Sequence, residues 1–192
     1  MIYFKNATQE RSKRMKKKRF DPFDDLCKMC KIGYTLLNVP HNSDTTQTIK
    51  MSANIKNSII EDTAKQFITP IDREDIITLS LLLHRLNISL TTIPRKTADT
   101  STFFSCLSDI ILLITDTLKN NLKTLPEQLS LKNDSISDKF ENEYNKLWQP
   151  NLSSTVERKN LLKYIFFDKI RKCYDQMNEI VDFLVMAIVK NT

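Results

Sequence analysis

An all-α fold, an antiparallel up-and-down bundle of about six helices, is predicted by three features of the chain. One glycine stands against six prolines in 192 residues, so the residue that tight hairpin turns and phosphate-cradling loops need is almost missing. Apolar residues recur three and four apart over most of the length, the period of a helix that buries one face. The breaks between these stripes are short and polar. The length suits one domain with a substantial core, read here as residues 21–192 behind a basic segment, residues 1–20.

That first segment holds Lys5, Arg11, Lys13, Arg14, Lys16, Lys17, Lys18 and Arg19 against Glu10, a net +7, which leaves −1 for the remainder of a chain whose total is +6. Such a run resists folding by itself. Lys13, Arg14, Lys16, Lys17, Lys18 and Arg19 suit contact with a partner or an anionic membrane surface, where each cation contributes about 1 kcal/mol. A solvated, solubilising tail is the plainer reading. Nucleic acid is the third option, but basic and aromatic residues are not interleaved, and Tyr3, Phe4 and Phe20 form no stacking platform. Neither an apolar stretch nor a cleavage site of a secretory signal follows Met1, which points to the cytoplasm.

The first helix is predicted from 21 to about 37, with Phe23, Leu26, Cys27, Cys30, Tyr34 and Leu37 on one face, Pro22 near its first turn and Pro40 past its end. The Cys27-Lys-Met-Cys30 spacing fits a metal or redox pair. No second pair follows, however, and only His41 and His84 are available to complete a site, so packed thiols are favoured. Ile49, Ala53, Lys56, Ile59, Ile60, Ala64 and Phe67 trace the second helix. Ile76, Leu79, Leu83, Leu86 and Leu90 trace the third, which Leu81 and Leu82 broaden into a central, enclosed element stopped by Pro94. The fourth, 101 to about 122, has the most apolar stripe, through Phe103, Leu107, Ile110, Ile114 and Leu118. Its unbroken apolar runs are far short of the roughly 20 residues of a membrane span, so no transmembrane helix is expected. A polar interval around 131–137 precedes a fifth helix bearing Phe140, Tyr144, Leu147 and Trp148. The last runs from about 156 to 189, with Tyr164, Phe167, Ile170, Tyr174, Met177, Val181, Leu184 and Ile188 along its seam.

Helix-start signals concentrate in Phe67-Ile68-Thr69-Pro70-Ile71-Asp72-Arg73-Glu74-Asp75-Ile76-Ile77. Pro70 disfavours helical geometry at Thr69 and suits the first helical position itself, so Thr69 reads as the N-cap. Asp72 is then placed to reach back to the cap, while Glu74 and Asp75 lie beside the positive end of the helix dipole.

The same run, with Arg73 at its centre, resembles the signature of the PhoU-like family, in the branch that accompanies low-affinity inorganic phosphate transporters. Lys16-Lys17-Lys18-Arg19-Phe20-Asp21-Pro22-Phe23 resembles the family's N-terminal entry and Ala187-Ile188-Val189-Lys190-Asn191 its C-terminal close. Glu141-Asn142-Glu143 and the stretch from Asp175 to Asp182 are similar too. The resemblance implies a helical bundle that serves phosphate transport as a non-catalytic regulator or accessory protein. It would contact a transporter from the cytoplasmic side, peripheral to the membrane, with homo-oligomer formation open.

Members of that family carry carboxylates four residues apart that together hold a multinuclear metal cluster. By register from Phe67, the equivalent positions here are Ile49 and Ala53, His84 and Ile88, Glu141 and Asn145, and Arg171 and Asp175. Glu141 and Asp175 alone remain as candidate ligands. Arg171 opposes a divalent ion and is placed to pair with Asp175 across one turn, so no cluster and no cofactor is expected. Catalysis is not expected either: neither histidine stands beside an evident nucleophile, no Gly-x-Ser-x-Gly or His-Glu-x-x-His occurs, and His84 reads as a polar-face or partner-contacting residue. The competing function is a nucleic-acid-associated helical protein that uses the basic segment for phosphate contacts.

Overall fold

The computed structural model describes residues 21–38, 44–66, 71–94, 100–147 and 158–191. Their regular structure is an all-α bundle of six helices: α1 (Pro22–Asn38), α2 (Thr46–Lys65), α3 (Arg73–Leu90), α4 (Ser101–Lys119), α5 (Pro126–Leu147) and α6 (Arg158–Asn191). Helices α1, α2 and α3 each pack on the other two, and α4, α5 and α6 do the same. The halves join where α1 meets α4 and α3 meets α6, so α1, α3, α6 and α4 ring the core while α2 and α5 lie outside it. Advancing every helix by three places reproduces the same set of neighbours. The architecture therefore repeats, although the sequence shows no internal repeat.

Polar contacts set the register. Asp72 and Asp75 at the start of α3 meet Lys190 at the end of α6, and Arg85 meets Glu179 farther along, so this pair runs antiparallel. Asn133 with Asn178, and Glu141 with Arg171, fix α5 against α6 in the same sense. One continuous core fills the ring, with Leu26, Met29, Leu79, Leu83, Phe103 and Ile110 among its fully buried side chains.

The ends follow from local chemistry. At α1 the Asp21 carboxylate accepts from the N–H of Phe23 at 3.0 Å, and Pro22 fills the first position, where no donor is lost. At α4 the chain has no glycine to reverse with. Asn121 and Leu122 take the left-handed conformation instead, at φ 50° and 57°, and the Leu122 N–H bonds the Thr117 carbonyl at 3.1 Å. A leucine held there costs roughly 1–2 kcal/mol, which burial of its side chain offsets.

Several inward faces differ from the periodicity reading. Helix α5 begins at Pro126, and the supposed polar interval is helical. Its stripe runs Leu129, Asn133, Ile136, Phe140, Tyr144, Leu147, and Asn133 disguises it. On α2 the buried residues are Ser52, Ile59 and Thr63, whereas Ala64 is exposed. Leu81 and Ile88 are nearly half exposed, so α3 is open on its outer side. The seam of α6 starts at Phe166, and Tyr164 lies outside it. Contrary to the reading from apolar runs, α4 is long and apolar enough to cross a membrane. Half of it is buried here, packed on α1, α5 and α6, which is how a core helix meets the same criterion.

Candidate functional site

The described parts of two of the stretches that carry the family resemblance meet at one end of the bundle. Helix α3 begins at Arg73, three residues later than expected, with Asp72 as its N-cap; the N–H groups of Asp75 and Ile76 bond the Asp72 carbonyl at 3.1 and 3.2 Å. The Asp72 carboxylate makes no capping bond. It pairs with the Lys190 ammonium at 2.5 Å, and a full cation holds a carboxylate more strongly than an exposed N–H does. The box expected between Thr69 and Asp72 falls on Thr69 and Pro70, which lie outside the described residues. Asp75 is nearly buried, its Oδ2 3.5 Å from Lys190 Nζ. The hydrogen bond to Asp72, with the fields of both aspartates, holds the Lys190 pKa above its usual value. Glu74 adds its charge to the first turn, and the Arg73 guanidinium donates back to the Gln66 carbonyl. Lys13, Arg14, Lys16, Lys17, Lys18 and Arg19 lie outside the described residues.

The structure also brings Glu141 and Asp175 together, around a cation. Arg171 Nη1 lies 2.7 Å from Glu141 Oε1 and 2.9 Å from Oε2, and its Nε donates to Asp175 Oδ1 at 3.0 Å. The guanidinium carbon sits 5.4 Å from the ring centroids of both Tyr144 and Tyr174. Burial opposes its charge, but the hydrogen bond to Glu141 and the fields of both carboxylates outweigh that and raise its pKa. Behind it, Phe140 and Tyr174 stack at 3.8 Å. The remaining acids nearby are engaged: Glu143 pairs with Lys146 and Glu179 with Arg85, while Asn145 faces solvent. Among the described residues no three His, Cys, Asp or Glu side chains converge on one point.

The equivalent place between α2 and α3 is built without formal charge. Asn87 Nδ2 donates to the Met29 carbonyl and to Ser52 Oγ, both at 3.1 Å, and Ser52 Oγ lies 3.0 Å from His84 Nδ1. Ser52 Oγ accepts from Asn87, and toward His84 it donates when Nδ1 is bare and accepts when Nδ1 carries the hydrogen. Burial first, and the Lys56 charge second, lower the His84 pKa. His84 thus meets a hydroxyl that is 32 residues away in sequence. Ser52 is fully buried and no carboxylate appears among its bonds, so this contact has neither the access nor the orientation of a nucleophile and its base.

Gly33, the chain's single glycine, packs under Asn87: a Cβ there would come 2.8 Å from Asn87 Oδ1. Sequence reasoning missed this junction, and its signal was a lone glycine plus a lone asparagine beside Leu86. The thiols are packed as expected; burial pushes Cys30 and Cys173 up to about 12. No family model and no curated protein matches the chain.

Proposed function

We propose that this chain is a non-catalytic regulator or accessory protein of inorganic phosphate transport, which docks its bundle on the cytoplasmic face of a membrane transporter. The observation that carries the reading is the likeness of the run Phe67 to Ile77 and of the close Ala187 to Asn191 to one family, with Asp72 and Asp75 of the first held against Lys190 of the second. The described parts of two stretches far apart in sequence thus meet at one end of the bundle, which supports a docking role. The all-helical bundle agrees with the reading. So does the Arg171 guanidinium between Glu141 and Asp175, since a site closed by a cation supports a docking role rather than a metal-dependent one.

The test is uptake of radiolabelled phosphate by cells of the source organism with the gene deleted, restored, or restored with Asp72→Asn and Asp75→Asn together. Deletion is expected to change the initial rate, restoration to reverse the change, and the double variant to fail while accumulating to the parent's level. Uptake indifferent to deletion sinks the reading. If deletion instead alters only nucleic-acid-dependent processes, the basic segment is the working part and the competing function stands.

A further inference from the structure

Helices α3 and α6 leave between them an open groove of about 450 Å³, lined by Thr78 and Leu82 on one side and by Asp175, Asn178, Glu179, Asp182, Phe183 and Met186 on the other. Its floor is apolar and three carboxylates edge it; no cation is among the lining residues, although Arg85 reaches Glu179 and Arg171 reaches Asp175 from outside the groove. Met186 is 61% exposed and extends the apolar floor beyond the half-buried Leu82 and Phe183.

We propose that this groove seats the chain's own basic segment, residues 13–19, by charge pairing with Glu179 and Asp182 and by apolar contact on Phe183 and Met186. Register places the segment's root beside the groove. Helices α1 and α3 run parallel, and Gly33 packs against Asn87 and Leu90. Twelve residues back from Gly33 is Asp21, and twelve back from Leu90 is Thr78, which lines the groove. The root of the segment and the groove thus lie at one level, separated by the width of α3, about 10 Å. Lys16 to Arg19 stand two to five residues before Asp21, a reach of roughly 7–18 Å of extended chain. The charges are complementary as well: residues 13–19 carry six cations and no acid, whereas Glu179 and Asp182 edge the groove. This contact does not depend on phosphate transport. It would mask the same lysines from any anionic surface until that surface displaced the acids.

The segment is rich in tryptic sites, so limited proteolysis of the full chain reads its protection directly. Glu179→Gln with Asp182→Asn is expected to speed cleavage after Lys16 to Arg19 severalfold, with an unchanged thermal midpoint, since both acids are at the surface. High salt should do the same to the parent. Equal cleavage rates in parent and variant overturn the proposal. Carbodiimide coupling supplies a second reading, because it joins lysine to a carboxylate in direct contact. Links from Lys13, Lys16, Lys17 or Lys18 to Glu179 or Asp182 within one molecule support the contact. Links only to Glu10, Asp21, Asp24 and Asp25, the nearest acids in sequence, overturn it, as do links found only between isotope-labelled and unlabelled copies, which would make a second copy the occupant.

Discussion

The α2–α3 and α5–α6 pairs hold equivalent places in the two halves, yet one is joined by a neutral chain of hydrogen bonds and the other, besides the Asn133–Asn178 bond, by a cation between two acids. In the first, Ser52 and Asn87 are almost wholly buried and only His84 approaches solvent. In the second, Arg171 and Glu141 are each 37% exposed and Asp175 more so. Burial decides what each can be worth. A buried amide that loses its partners cannot recover them from water, whereas a half-exposed ion pair gains modestly over its own hydration. The lesson is that repeated topology does not repeat energetics: the first half is locked from inside, the second is clasped at its surface.

That contrast can be broken most forcefully at Asn87. Asn87→Ala removes two bonds and leaves a void, and should cost about 2–4 kcal/mol, nearly independent of salt. Gly33→Ala should cost roughly 1–3 kcal/mol in the parent, but approach neutrality or slight gain in the Asn87→Ala background, where the clash is gone and alanine favours the helix. A double-mutant cycle by urea denaturation measures this; equal effects of Gly33→Ala in both backgrounds would refute the lock. Next in size is Arg171→Met, which keeps an apolar stem beside Tyr144 and Tyr174. It should cost about 1 kcal/mol at low salt and less at high salt, and a salt-independent loss would mean the clasp acts through packing.

The smallest effect is an acid limb confined to the first half. Unfolded His84 gains a proton near 6.5, while the folded ring, its pKa lowered, resists until a lower pH. Below 6.5 the unfolded chain therefore binds more protons, and stability falls as pH drops through that window. Amide exchange, corrected for intrinsic rates, should show α2 and α3 losing protection between pH 7 and 5 relative to α5 and α6. His84→Asn should remove the difference; parallel loss in both halves would show that the histidine is not its source.

Much of the fold was legible because helical periodicity survives wherever buried faces are apolar, as on α1, α4 and most of α6. It failed where polar residues turn inward. Asn133 hid half of α5, and Ser52 and Thr63 rotated the apparent face of α2, because a hydrogen-bonded polar side chain is invisible to an apolar count. The partner of Asp72 was hidden for a related reason: capping chemistry is local, but Asp72 answers to Lys190, which lies more than a hundred residues away. The pairing of Arg171 with Asp175 was legible since one turn separates them. The bond from Arg171 to Glu141 on another helix and the Ser52–His84–Asn87 chain needed the tertiary structure.

The buried thiols have a use that packing alone does not suggest. Thiolate is the form that reacts with alkylating reagents, and with Cys30 and Cys173 pushed up to about 12 the folded chain holds both as unreactive thiols at neutral pH. Modification must wait for a helix to swing outward, so each labelling event timestamps an opening. Cys30 belongs to α1 and Cys173 to α6. With Cys106 buried on α4 as well, the molecule carries such clocks in both halves, and whether they keep the same time reveals whether the halves breathe together or apart.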